Sequence, residues 1–96
     1  SMKHSSLADR IVRRLEGIII ARSWSLLEYN VPRKHLAEVE AITPGFNSPT
    51  VMALEDDQWC AVRAMVKRGE AHAIIEQLET LGATAIIETQ ISNCRL

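Results

Sequence analysis

The spacing of apolar residues predicts three helices along the chain. The clearest runs from Glu70 to Leu81, where an apolar residue falls at every third or fourth position. An earlier stripe within residues 7–15 predicts a helix that Gly17 can end. A shorter stripe within residues 36–42 predicts a helix after Pro32, which suits a first turn because its missing N–H is not needed there.

Branched and alternating apolar residues predict strands around these helices. IIIARSWSLLEYNV, residues 18–31, is expected to be extended because branched and aromatic residues dominate it. TVMALED and QWCAVRAMV predict two strands joined by a turn around Asp56 and Asp57, and ATAIIETQI predicts the last strand. Within QWCAVRAMV, Arg63 lies among apolar neighbours on one face, which indicates that this face is partly wet or contacts a partner.

From Ser23 onward the predicted order is strand, helix, strand, strand, helix, strand. This order is typical of the ferredoxin-like β-α-β-β-α-β class, an α+β fold in which two helices cover one face of a four-stranded antiparallel sheet. We therefore expect this fold, preceded by an extra N-terminal helix, with the second face of the sheet uncovered. A small, half-apolar open face commonly serves dimerisation, ligand binding or RNA binding.

Length and charge narrow these possibilities. The 96 residues suffice for one domain, and the formal charge of −1 gives no attraction to nucleic acid or an anionic membrane. No apolar run approaches the roughly 20 residues that cross a bilayer, and the start of the sequence contains no apolar signal segment. With two tryptophans, one tyrosine and one phenylalanine, the chain lacks the aromatic platform of RNA-recognition domains. We expect a cytoplasmic protein whose Cys60 and Cys94 are reduced.

The sequence contains no recognisable catalytic or metal-binding constellation. It has no glycine-rich phosphate loop or nucleophile elbow, and two cysteines are too few for an iron–sulfur cluster. His72 and Glu76 lie four residues apart, a spacing that metals can use but that more often marks an exposed pair on a polar helix face. The remaining use of this fold class is binding a small metabolite at the sheet edges and loops, often across a subunit interface.

The loop AITPGFNSPTV, residues 41–51, contains more turn residues than a helix-to-strand link requires, since about 2 to 6 residues suffice. Together with LLEYNVP, WCAVRAMV, LETLGATAII and a terminal CRL, it resembles the C-terminal regulatory domain of long-form ATP phosphoribosyltransferase. The resemblance covers about residues 15–96. Within residues 1–20, Ser1 and Met2 are interpreted as a tag remnant. The resemblance implies that the rest of residues 1–20 is the linking helix/strand from the catalytic region and that residues 21–96 form the regulatory domain.

The resemblance also implies a function. The full enzymes join ATP to phosphoribosyl pyrophosphate with magnesium in the first step of histidine biosynthesis, and two catalytic domains that precede this segment do that work. This chain alone is then not expected to be catalytic or to hold a cofactor. Its expected role is to bind L-histidine, transmit feedback inhibition to the catalytic domains and take part in a homo-oligomer, a hexamer in the parent enzyme. An assembly module that no longer binds histidine is the alternative.

Five positions match the family's histidine pocket: Asn30, Phe46, Thr50, Met65 and Ala85. Asn30 stands where the family often has aspartate, and Phe46 stands where leucine is usual. The residues themselves leave other roles open. Asn30 could cap a helix before Pro32, Thr50 could simply begin a strand, and Met65 and Ala85 are ordinary sheet residues.

Overall fold

Four antiparallel strands form one sheet in the order β2-β3-β1-β4. The computed structural model describes residues 2–95, with their side chains from residue 6 onward. The elements are α1 (Met2–Ser23), β1 (Trp24–Pro32), a 3₁₀ helix (Arg33–His35), α2 (Leu36–Ile42), β2 (Thr50–Ala53), β3 (Trp59–Lys67), α3 (Arg68–Thr80) and β4 (Thr84–Gln90). This arrangement confirms the ferredoxin-like α+β fold with a preceding helix.

The core lies between the sheet and helices α2 and α3. Along β1 and β3 every second side chain is buried, as the period of two in a strand requires. Leu27 and Val31 of β1 are fully buried with Val39 of α2 and Leu78 of α3. Each such side chain contributes about 1.5–3 kcal/mol of hydrophobic stabilisation. The two helices therefore cover one sheet face and leave the other open.

Helix α1 differs from the prediction. Gly17 does not end it, and residues 18–23 are helical rather than extended, so the described part of the predicted linking helix/strand is helix throughout. Helix propensities separate isoleucine from alanine by only a few tenths of a kcal/mol, and tertiary contacts override them. Two such contacts hold this end: Ala21 is buried, and the Arg68 guanidinium donates to the carbonyls of Ala21 at 2.8 Å and Trp24 at 3.2 Å.

Gly17 has a packing role instead of a terminating one. A Cβ at this position would collide with the carbonyl oxygen of Cys94, so the C-terminal segment can lie against α1 only where a side chain is missing. The glycine therefore permits a contact between the two ends of the chain, which a single-sequence pattern does not reveal.

The remaining connections agree with the predicted turns, with one shift. The Trp59 N–H donates to the carbonyl of Asp56 at 3.1 Å, which forms the expected turn between β2 and β3. Pro32 is the last residue of β1 and precedes a 3₁₀ turn, rather than lying in the first turn of an α-helix. Among residues 2–95, no helix combines the length and the apolar character needed to cross a membrane.

Candidate functional site

The open sheet face carries a row of mixed polar and apolar side chains. On β1 these are Leu26, Glu28 and Asn30, which alternate with the buried residues of the same strand. Their partners on β3 are Met65, Arg63 and Ala61, in the same order. The oppositely charged Glu28 and Arg63 thus lie opposite each other at the centre of the face, with Leu26 and Met65 on one side and Asn30 and Ala61 on the other.

Three of the five predicted site residues meet at one side of this face. Phe46, Thr50 and Met65 line a cleft of about 210 Å³ together with Leu26 and Arg63. We call this the loop cleft, because the segment between α2 and β2 forms its outer wall. Phe46 is 40% exposed, so its ring faces the cleft and solvent rather than the core.

Hydrogen bonds and an aromatic contact fix the loop that carries Phe46. The Thr43 hydroxyl donates to the carbonyl of Val39 at 3.0 Å and lies 2.7 Å from the hydroxyl of Tyr29, so the first loop residue is tied to β1. Gly45 then adopts a φ of +68°, which glycine tolerates without steric cost. The Phe46 ring lies 4.5 Å from the ring of Trp24 at a tilt of 40°, a favourable aromatic geometry.

The other two predicted residues meet farther along the same face. Asn30 and Ala85 line a cleft of about 240 Å³ with Glu28, Met52 and Arg63. We call this the bulge cleft, because the pairing of β1 with β4 is irregular beside it. Asn30 lies within β1 and not before a helix, so it does not cap one.

The irregularity is a β-bulge centred on Ala85. Glu28 pairs with Ile87 and Asn30 pairs with Thr84, so two residues of β4 oppose the single residue between Glu28 and Asn30. Ala85 has a φ of +51°, in the region that normally requires glycine, at a cost of roughly 1–2 kcal/mol. A bulge leaves ladder groups unpaired, and strain of this kind concentrates at functional sites.

The two clefts adjoin at Arg63, but their outer ends lie far apart. Phe46 stacks on Trp24 at the start of β1, and Asn30 lies six residues farther along that strand, a separation of about 20 Å at 3.3 Å per residue. Thr50 lies on the edge strand β2 and Ala85 on the opposite edge strand β4, about 14 Å apart across three strand spacings.

Arg63 lines both clefts, and Glu28 lies opposite it in the bulge cleft, yet neither was among the predicted site residues. The signal for Arg63 was its position among apolar residues on one face of a strand. The signal for Glu28 was weaker, because a glutamate on an open sheet face is also typical of ordinary solvation. The pairing register of β1 and β3 brings Glu28 and Arg63 opposite each other, and this register cannot be deduced from the sequence of either strand alone.

The other titratable groups lie in surroundings typical of structural residues rather than of a reactive site. Burial raises the pKa of Tyr29 above its ordinary value of 10.0, and its hydrogen bond to Thr43 opposes that shift in part. His72 and Glu76 form a 3.4 Å pair that is largely exposed, as expected for a polar helix face. Cys60 is buried and Cys94 is partly buried, and both are free thiols. Within the described residues, no three histidine, cysteine or acidic side chains gather as a metal site.

Comparison with known proteins places the chain in a family. Residues 21–93 match the family model described as HisG, C-terminal domain. The chain belongs to the HisG C-terminal domain family. All five predicted site residues, from Asn30 to Ala85, fall within the matched range.

Individual relatives of this HisG C-terminal domain are longer proteins. The chain is 57% identical over 90 residues to ATP phosphoribosyltransferase of Rhodopirellula baltica, which covers 94% of the chain and 30% of that protein. It is 48% identical over 88 residues to ATP phosphoribosyltransferase of Saccharopolyspora erythraea, covering 92% of the chain and 31% of the relative. The chain thus spans about a third or less of the length of these relatives, which extend well beyond this domain.

Proposed function

We propose that this domain binds L-histidine and mediates feedback inhibition of an ATP phosphoribosyltransferase, the first enzyme of histidine biosynthesis. The observation that carries the proposal is the grouping of the five pocket residues into two clefts on one open sheet face that share Arg63. The catalytic domains, their substrates and magnesium belong, in this proposal, to the part of the enzyme outside this domain.

The clefts offer the groups that a zwitterionic amino acid needs. Arg63 can pair with the carboxylate through its guanidinium fork, and Glu28 can accept from the ammonium group. The amide of Asn30 and the backbone freed at the Ala85 bulge supply further polar partners. Phe46 and Met65 provide an apolar wall of the kind that a ring-bearing ligand packs against.

We further propose that each histidine site is completed by a second copy of the domain. Within one chain a single histidine cannot contact all five pocket residues, because about 14–20 Å separates Phe46 from Asn30 and Thr50 from Ala85. Two copies that meet through their open faces can place the loop cleft of one against the bulge cleft of the other. The ligand would then stabilise one subunit arrangement, which is the requirement for transmitting inhibition to the catalytic domains.

Thermal unfolding with histidine, measured together with molecular mass, tests this function. Millimolar L-histidine is expected to raise Tm, because a ligand that binds only the folded state stabilises it. Histidinol lacks the carboxylate and should give a smaller shift if Arg63 holds that group. The absence of a shift in a chain shown to be oligomeric would overturn histidine binding.

A mixing experiment tests the shared site. Asn30→Ala in the bulge cleft and Thr50→Ala in the loop cleft should each reduce the histidine-dependent shift. Mixed oligomers of the two variants contain some sites with both native halves, so part of the shift should return. If the mixture gives a histidine-dependent Tm shift equal to the average of the shifts of the two variants, each site belongs to a single chain.

The alternative function is assembly without ligand binding. Exposed apolar side chains support it, since Met52 is 49% exposed and Ile87 is 55% exposed on the two edge strands. Replacing both with threonine should then reduce the mass of the assembly. An oligomer that depends on these residues and shows no histidine-dependent Tm shift would favour this function over histidine sensing.

A further inference from the structure

A cluster of arginines lies away from the open sheet face, where α1 meets the C-terminal segment. Arg13 and Arg14 lie three and four residues after Arg10, so all three share a face of α1. With Arg95 they line a cleft of about 390 Å³. This volume lies in the range of about 300–1,000 Å³ that small-molecule sites occupy.

Two separate segments of the chain build this cleft. The C-terminal segment reaches α1 at Gly17, where a Cβ would collide with the Cys94 carbonyl and would lie 2.6 Å from Nη1 of Arg95. Nη1 of Arg95 also donates to Oδ1 of Asn93 at 2.6 Å and to the Cys94 carbonyl at 3.2 Å. These contacts orient the guanidinium of Arg95 and leave its other N–H groups available to the cleft.

The charges in the cleft are unbalanced within the part of the chain whose side chains are described. Between residues 6 and 95 the ion pairs are His35 with Glu38 and His72 with Glu76, so no carboxylate there lies within 4.0 Å of the four arginines. Like charges one helical turn apart destabilise a helix. An anion between the guanidinium groups removes that repulsion and gains charge-assisted hydrogen bonds.

We propose that this arginine cleft is a binding site for a phosphate-rich anion, such as a polyphosphate or the triphosphate of a nucleotide. The guanidinium fork matches the spacing of phosphate oxygens and binds them bidentately. Four guanidinium groups around one concave site suit a ligand with several phosphate groups better than a ligand with a single carboxylate. The site is distinct from the two clefts of the open sheet face and does not depend on histidine binding.

Calorimetric titration of the 96-residue chain with inorganic tripolyphosphate, and separately with ATP, tests the proposal at fixed ionic strength. Both probes are expected to bind. The double variant Arg10→Gln/Arg14→Gln should weaken binding by at least about tenfold, the effect of losing charge-assisted bonds. The control Arg22→Gln/Lys34→Gln removes the same charge outside the cleft and should leave the affinity within about twofold. Equal weakening by the control would show a general charge effect and overturn the site.

A second pair of variants tests the contribution of the C-terminal segment. Gly17→Ala keeps every arginine but displaces the tail, so it should weaken binding about as much as Arg95→Gln. Circular dichroism checks that α1 stays helical, which alanine favours over glycine. If Gly17→Ala unfolds the chain, Arg95→Gln carries the same test. Native affinity in Arg95→Gln would overturn the proposal. If the chain binds ATP more tightly than tripolyphosphate, and Arg95→Gln abolishes that binding, the anion is identified as a nucleotide.

Discussion

The Tyr29 hydroxyl donates a 2.7 Å hydrogen bond to the Thr43 hydroxyl, which donates in turn to the carbonyl of Val39. Both side chains are buried. This chain of bonds joins the middle of β1 to the end of α2, at the residue where the loop bearing Phe46 begins. It therefore sets where the wall of the loop cleft starts.

The two partners of this bond should differ in how much stability they contribute. Thr43→Val leaves the buried Tyr29 hydroxyl without its acceptor and should lower the free energy of unfolding by about 1–3 kcal/mol. Tyr29→Phe removes the donor itself and should cost only about 0.5–1.5 kcal/mol. Urea denaturation of both variants and of the double variant measures this. A double variant as unstable as the sum of the two would show that the hydroxyls do not interact.

Tyr29 should make stability fall at alkaline pH. Burial raises its pKa in the folded protein above the ordinary value of 10.0, so above that pH the unfolded chain holds fewer protons than the folded one. The stabilisation is complete below about pH 10 and is lost as the pH rises through the folded pKa. Because the chain has one tyrosine, its absorbance titration reports this group directly. The same alkaline loss in Tyr29→Phe as in the native chain would assign the effect to other groups.

Ala85→Gly should stabilise the domain. Glycine adopts a φ of +51° without the steric cost that alanine carries, which should raise the free energy of unfolding by about 1 kcal/mol after the entropic cost of glycine. Ala53→Gly, in the exposed edge strand β2, is the matched control and should destabilise by about 0.5–1 kcal/mol. Thermal or urea unfolding compares them. A loss of stability in both variants would mean that the bulge carries no strain.

Arg68→Met should loosen α1 more than it disturbs the sheet. The guanidinium satisfies the carbonyls of Ala21 and Trp24 at the junction of α1 and β1, and charge-assisted bonds of this kind contribute about 1.5–3 kcal/mol each. Hydrogen exchange should therefore speed up at the end of α1 while the amides of β1 and β3 stay protected. Lys34→Met, on the surface of the 3₁₀ helix, removes the same charge and should leave exchange unchanged. Uniform acceleration across the sheet in Arg68→Met would indicate global destabilisation instead.

The sequence predicted strand β3 and helix α3 because burial in these two segments follows strict local periods. The alternation along WCAVRAMV and the stripe within residues 70–81 needed no knowledge of the rest of the chain. Gly17 is a position at which the local sequence pattern gives the wrong prediction. Its role depends on the Cys94 carbonyl, far away in sequence, so a residue that locally looks like a helix stop lies inside the helix.

The candidate site was predictable only in part for a similar reason. Resemblance to the family supplied Asn30, Phe46, Thr50, Met65 and Ala85 as one pocket, but register separates them into two clefts. The pairing of Glu28 with Arg63 and the positive φ of Ala85 both arise from contacts between strands. Neither follows from the periodicity of one strand.

The direct junction of α1 and β1 has a mechanical consequence. Ser23 ends the helix and Trp24 begins the strand, so no flexible linker separates them. The 22 residues of α1 form a rod about 33 Å long, fixed near its base by Arg68 and by the tail at Gly17. A 10° rotation of the sheet would carry the far end of such a rod through about 6 Å. The domain thus has the build of a lever, in which a small tilt at the sheet becomes a large displacement at Met2.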